Sequence, residues 1–390
     1  MKQGMFADGK YAIVGAGLIG RLLAVALAKR GAQVELFEKG SKDAELSPAR
    51  IAAAMLAPLA ESAITEDNVV RMGVHSLPRW QEILAELSTP VYFQQDGTLI
   101  LWHRQDSQDA DRFTSHLEKN ALNNSRLSSP VKLDKESLAE LEPSVAERFG
   151  QGVYLPHEGQ LDNRQLLNAL LIELDTLKVN FHWHTAVEPE DLRNQNTYDW
   201  VIDCRGLGAK TTWSDNLKTA NPLRGVRGEV VRLYAPEVKL RRPTRLIHPR
   251  YPIYIAPKEN DIYVVGATEI ESDDLSEMSV RSAMELLSAV YTVHSGFAEA
   301  RILEMATQCR PTLKDNLPEI KVDRSVATKT KLMMINGLYR HGFMISPAIL
   351  DCALELLKHP MSKTAQELGV HVTDIPASNT PAPQEASTCA

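Results

Sequence analysis

Residues 11–14, Tyr11-Ala-Ile-Val14, form a short unbroken apolar run of the kind that fills a strand buried on both faces of a parallel sheet. Gly15, Gly17 and Gly20 follow it. Residues 19–29 then switch to helical spacing, with Leu22, Leu23, Ala26 and Leu27 on one face. Gly31 stands where a left-handed residue ends a helix, and residues 34–37 make a second apolar strand closed by Glu38. The pattern predicts a strand–helix–strand unit at the head of the chain.

Beyond Glu38 the pattern changes repeatedly. Residues 39–47 are a polar connector. Residues 49–58, Ala49-Arg-Ile-Ala-Ala-Ala-Met-Leu-Ala-Pro58, are small and nearly uncharged. They fit equally a backbone path beside a flat rigid group and the first turns of a buried helix. Residues 68–87 place Val69, Met72, Leu77, Trp80, Ile83, Leu84 and Leu87 at helical spacing, with Pro78 predicting a kink or a break. Residues 91–102 read as two strands around Asp96-Gly97, a hairpin signal. Helices are expected over 107–125, 134–141 and 163–177, the last capped by Asp162 or Asn163. Strands are expected at 152–156 and 181–187, and residues 199–208 read as a buried strand that ends in a turn at Gly206.

From residue 221 the chain alternates. Strands over 229–234, 251–257 and 261–268, separated by short turns, predict an antiparallel sheet. A helix follows over 276–291, then strands at 301–309 and 332–335, a loop at 337–342, and a helix over 347–357 capped by Ser346. Residues 376–390 are polar and proline-rich and are expected to be disordered. The order of elements predicts an α/β chain, α+β overall. A Rossmann-like cofactor domain is built discontinuously from residues 1–90, 145–220 and 301–370. An antiparallel-sheet substrate domain, residues 91–144 and 221–300, interleaves with it, and residues 371–390 form a disordered tail.

Composition narrows the function. Of 390 residues, 44% are hydrophobic and 24% charged, the usage of an ordinary globular protein. A net charge of -7 leaves no basic excess to meet the phosphates of a nucleic acid. The four cysteines, Cys204, Cys309, Cys352 and Cys389, show no C-x-x-C pair. That argues against a disulfide framework or a zinc site and predicts a reducing cytoplasm. No apolar run is long enough to span a membrane. Residues 12–28 imitate a signal peptide, but Arg21 interrupts them and Lys29-Arg30 follows rather than leads. His182 and His184 share a face of their predicted strand without further ligands nearby, so no metal site is expected.

The opening unit carries chemistry. In a G-x-G-x-x-G turn the first glycine permits the bend, the second admits a pyrophosphate to the backbone, and the third lets helix and strand pack closely. The helix N-terminus adds free N–H groups and a positive dipole end. Glu38 is placed to accept from a ribose diol, which favours FAD or NAD and repels the 2′-phosphate of NADP.

Five stretches resemble FAD-dependent oxidoreductases of the D-amino-acid oxidase family, in particular the bacterial glycine oxidases of the thiamine pathway. They are the glycine turn, residues 52–58, Arg224-Gly-Val-Arg-Gly-Glu229, Tyr254-Ile-Ala-Pro-Lys258 with Val265-Gly-Ala-Thr268, and Arg310-Pro-Thr312 with Gly337-Leu-Tyr-Arg-His-Gly342. The resemblance runs from about residue 11 to residue 360. It implies that Arg340 pairs the substrate carboxylate, that Arg310 supports it, and that the Tyr254 hydroxyl reaches the same carboxylate. It places Gly15, Gly17, Leu18, Ile19, Gly20, Glu38 and Lys39 on the nucleotide half of FAD, and Ala53, Ala54 and Met55 along the flavin. Val187 matches an adenine contact and Gly206 a turn near the pyrophosphate. Gly337, His341, Gly342, Phe343 and Met344 match the loop that passes the flavin's pyrimidine end. The partners implied are a small amino acid, molecular oxygen and further copies of the chain.

This sequence departs from the resemblance in three places. Ala53-Ala54-Met55 replaces the usual glycine before methionine, and Arg50 lies where serine or threonine is common. Glu269 stands where the glycine oxidases carry an apolar residue near the substrate. Facing inward it would select a cationic or bulkier amine; turned outward by strand alternation, the reading preferred, it is a solvated charge. FAD is expected to be non-covalent. A cysteine in the region of Cys309 bonds to the flavin in the related sarcosine oxidases, but a small buried cysteine is the plainer reading. The rival functions are a flavin dehydrogenase using a quinone or protein acceptor, and an FAD-binding partner protein without catalysis.

Overall fold

The computed structural model describes residues 6–215, 221–248, 252–325 and 328–375. Tyr251, Cys389 and the expected tail at 376–390 lie outside the described residues. The head of the chain folds as expected: strand Lys10–Val14, helix Leu18–Ala28 and strand Gln33–Phe37. The two strands pair in parallel, Tyr11 beside Val34. They lie within a seven-stranded sheet in the order His371–Asp374, Glu319–Asp323, Lys331–Asn336, Trp200–Asp203, Lys10–Val14, Gln33–Phe37, Asn180–His182. All its pairings are parallel except Glu319–Asp323 against Lys331–Asn336.

Every residue from Leu18 to Leu27 is buried, which explains why the pattern there is apolar nearly all round. Leu22, Leu23 and Leu27 pack with Leu166, Leu170 and Leu174 of helix Asn163–Thr176 and with Ile345 and Ile349 of helix Gly342–Leu356. Arg21 sits inside this core at 1% exposure, and three main-chain carbonyls account for it. Its guanidinium donates to Ala16 at 2.8 Å, Leu167 at 2.7 Å and Lys42 at 2.6 Å, tying the glycine turn to a neighbouring helix and to the loop after Glu38. Burial lowers its pKa to about 10. Asp162 caps helix Asn163–Thr176, accepting from the N–H groups of Arg164 and Gln165 at 2.9 Å.

The second sheet has nine strands and is organised on Arg224–Tyr234, which pairs antiparallel with Ile262–Gly266 on one side and Arg301–Thr312 on the other. Ile253–Pro257, Thr244–Ile247, Thr98–Trp102, Gly152–Leu155 and Val131–Leu133 continue it outward. Sheet membership thus crosses the expected boundaries: residues 152–155 and 301–312 belong to this sheet, not to the cofactor sheet.

Other expectations are also corrected. Residues 91–102 do not form a hairpin: Phe93–Gln94 pairs with Gly159–Leu161, while Thr98–Trp102 pairs with Gly152–Leu155 and Thr244–Ile247. Gly97 at φ +80 turns the chain between sheets instead of closing a ladder. Helix Asp67–Ala85 runs unbroken through Pro78. The expected strand at 181–187 ends at His182, and residues 371–374, expected in the tail, form an edge strand. The last long helix begins at Gly342, so Ser346 lies inside it and donates back to the Gly342 carbonyl rather than capping. Among the described residues no helix is long and apolar enough to cross a membrane.

Candidate active site

The two sheets share a cavity of about 880 Å³, large enough for a dinucleotide-sized ligand. Its walls include Gly15, Gly17, Leu18 and Ile19 from the opening turn, with Glu38 and Lys39 after the second strand. Gly15 takes φ +102, and a Cβ there would lie 2.7 Å from the Cys204 carbonyl oxygen. Gly20 does not line the cavity; a Cβ on it would meet the Gly15 carbonyl oxygen at 1.9 Å, so it closes the helix onto the turn. Glu38 accepts from the N–H groups of Ala16 at 2.7 Å and Gly40 at 2.9 Å. These bonds fix the carboxylate at the strand end and leave lone pairs for a diol.

Residues 51–54 pass the cavity as irregular chain leading into the short strand Met55–Leu56, so the buried-helix alternative is not realised there. Ala54 takes φ +52, a left-handed conformation that favours glycine, the residue the resemblance implies before the methionine. The stretch is held from behind by Lys258, whose ammonium donates to Ala53 O at 2.8 Å, Leu161 O at 2.7 Å and Gln160 Oε1 at 2.9 Å. Burial pulls the Lys258 pKa down to about 7. Val187, Gly206, Met55, Phe343 and Met344 also line the cavity, whereas Gly337 does not. Gly337, at φ +80, instead turns the chain into the site, and Asn336 bonds it to the Gly206 turn through Nδ2 at 2.9 Å.

The remaining wall holds the polar groups. Tyr254 and Arg245 are cross-strand neighbours, and Gly266 lies opposite Tyr254 on the other side. A Cβ at Gly266 would meet the Tyr254 hydroxyl at 2.6 Å, and one at Gly228 would meet the Arg310 guanidinium at 2.5 Å. The glycines of the two motifs are therefore clearance for Tyr254 and Arg310. Arg310 bonds main-chain carbonyls, chiefly Thr268 at 3.2 Å from both Nη atoms. Burial raises the Tyr254 pKa.

Arg340 is held by two acids. Its Nε donates to Glu61 Oε2 at 3.2 Å and its Nη1 to Glu269 Oε2 at 3.2 Å. Glu269 therefore faces the cavity, and the preferred outward reading is corrected: residues 267–269 follow the strand end at Gly266, where alternation no longer governs direction. Glu61 also binds Arg245 Nη2 at 2.5 Å and lies 3.4 Å from His341 Nδ1. Burial alone would raise Glu61, but Arg245, His341 and Arg340 outweigh it and hold the carboxyl at about 2. His341 is pushed down to about 4, chiefly by burial, and is neutral at neutral pH.

Sequence reasoning missed Glu61, Arg245 and the buried Glu158, which accepts from Ala60 N at 2.8 Å. Glu61 had one signal, an acid directly after an uncharged small-residue run; Arg245 had none. Cys309 lines the cavity, but its thiol points to the Ser272 and Asp274 carbonyls, each at 3.4 Å. Among the described residues no cluster of His, Cys, Asp or Glu has metal-site geometry.

The family model for FAD-dependent oxidoreductases, DAO, matches residues 10–353. The chain belongs to this family. The enzyme is similar to the thiamine biosynthesis oxidoreductase ThiO of Rhizobium etli, 36% identical over 336 residues covering 86% of this chain and 92% of that one. It is 27% identical to the glycine oxidase of Geobacillus kaustophilus over 354 residues, covering 86% of this chain and 89% of the other. The crystal structure of a glycine oxidase from the same organism shares the fold, with a TM-score of 0.71 over 90% of this chain and 95% of that one. FAD is the enzyme's cofactor, and the cavity fits it: two side-chain-free positions at a helix N-terminus for the pyrophosphate, Glu38 for a ribose, and an uncharged strip at residues 51–55 for the ring.

Proposed function

We propose that this enzyme oxidises the C–N bond of glycine or a comparably small amino acid, giving the imino acid. Water then hydrolyses the imino acid to the 2-oxo acid and ammonia, and molecular oxygen takes up the electron pair as hydrogen peroxide. The observation that carries the reading is Arg340: Glu61 holds it through Nε, which turns the Nη1–Nη2 edge, contacted only at Nη1 by the half-exposed Glu269 among the described residues, toward the cavity that Gly15 and Gly17 also line. FAD, when bound, supplies the hydride acceptor.

The protein's own part is placement. Arg340 grips the carboxylate in a planar, two-point geometry that lysine would not reproduce. Tyr254 and Arg310 offer a hydroxyl and a second cation on the same wall. Fixing the carboxylate would limit the orientations in which a small substrate presents a Cα hydrogen to bound FAD. The substrate amine reacts as the free base. His341 is neutral but is buried against Glu61, so the reading assigns no side chain a proton-transfer step. Peroxide formation in air, measured with glycine, sarcosine and D-alanine on the flavin-loaded enzyme, tests the proposal. Turnover with peroxide supports it, whereas turnover only with a quinone acceptor would make the enzyme a dehydrogenase.

A further inference from the structure

We propose that Glu269 is a displaceable counter-ion, holding Arg340 in the empty enzyme and yielding it to the carboxylate of the incoming substrate. The inference rests on Arg340 being the carboxylate site and goes beyond it by giving the site a built-in competitor. The two acids on Arg340 differ in kind. Glu61 is buried, its side chain 10% exposed, and is bound by Arg245 and His341 as well. Glu269 is 52% exposed. It makes a single contact to Nη1, at 3.2 Å, longer than a tight charge-assisted bond. Among the described residues Nη2 has no hydrogen-bond partner. The Nη1–Nη2 edge that a carboxylate grips at two points is therefore half taken by Glu269 and half open.

Tyr339 flanks the pair. Its ring lies under the Arg340 guanidinium, 5.3 Å from ring centre to Cζ. Glu269 is half-exposed, so on leaving Nη1 its carboxylate is met by water and displacement does not strand a buried charge. The consequence is selective. A ligand with a carboxylate must outcompete Glu269, whereas a neutral amine meets a guanidinium already neutralised and gains nothing from it.

The test uses the flavin-loaded enzyme and acetate, the carboxylate of glycine without its amine. Acetate affinity is read by calorimetry and by perturbation of the flavin spectrum. In Glu269→Gln, acetate is expected to bind about two- to fivefold more tightly, the range set by losing a half-exposed competing ion pair. Glu269→Asp, whose shorter acid falls away from Nη1, is expected to tighten acetate in the same direction while keeping the charge, and it serves if the first variant loses FAD. Unchanged or weaker acetate binding in both variants overturns the proposal. So does weaker glycine binding with acetate unaffected, which would make Glu269 a partner of the substrate amine. Arg340→Met separates the two levels: if it binds acetate as well as the wild type, Arg340 is not the carboxylate site and the underlying reading itself fails.

Discussion

Arg340 donates from Nε to the buried carboxylate of Glu61 at 3.2 Å, and this bond sets how the guanidinium is presented to the cavity. Replacing Arg340 with methionine removes a charge-assisted carboxylate contact of roughly 1.5–3 kcal/mol. A fall in kcat/KM of about 10- to 100-fold is expected, with Arg340→Lys recovering little of it, because a point charge does not replace a planar fork. Steady-state kinetics on the two variants measures this directly.

Glu61→Gln tests the anchor. The folded-state pKa of Glu61 is held at about 2 against 4.5 in an unfolded chain, so its ionised form favours the folded state. Its contribution is fully present above pH 4.5 and is lost as pH falls toward about 2. The stability gap between wild type and Glu61→Gln is therefore expected to be present at neutral pH and to close over that acid range. Denaturant melts across the range provide the measurement.

Glu158 has the opposite sign. Burial raises its pKa from 4.5 to about 7, so the folded state binds its proton more tightly than the unfolded chain. Stability from this group is complete below pH 4.5 and declines as pH rises to about 7. Glutamine mimics the protonated acid and keeps an acceptor for Ala60 N. Glu158→Gln is expected to raise Tm relative to wild type at pH 8 and to lose that advantage at pH 5.

Glu38→Ala removes the acceptor at the end of the second strand and frees the N–H groups of Ala16 and Gly40. FAD affinity is expected to fall roughly 10- to 100-fold, the worth of one or two charge-assisted bonds. Equilibrium dialysis against FAD measures the change, and circular dichroism checks that the fold persists.

The local half of this structure was legible in the sequence. The opening unit, the cap at Asp162 and the antiparallel run through Ile262–Gly266 are written in periodicity and turn chemistry, which act over a few residues. What was not legible depends on partners distant in the chain. Thr98–Trp102 finds Thr244–Ile247 about 145 residues away in a parallel pairing, so the Asp96-Gly97 turn signal misled. Glu61 and Arg245 look like unrelated surface charges until the fold sets them 2.5 Å apart. The direction of Glu269 was misjudged because it follows a strand rather than lying in one. Gly228 and Gly266 were recognised as parts of motifs, but their purpose, clearance for Arg310 and Tyr254, is visible only in three dimensions.

Whether Arg340 holds a small amino acid for oxidation is read from the visible flavin spectrum of the loaded enzyme in the absence of oxygen, before and after excess glycine, for wild type and Arg340→Met. Wild type is expected to bleach on addition of glycine, and the variant to bleach far more slowly or only at much higher concentration. Wild type that stays oxidised with glycine, sarcosine and D-alanine alike, or a variant that bleaches at the wild-type rate, would contradict that role of Arg340.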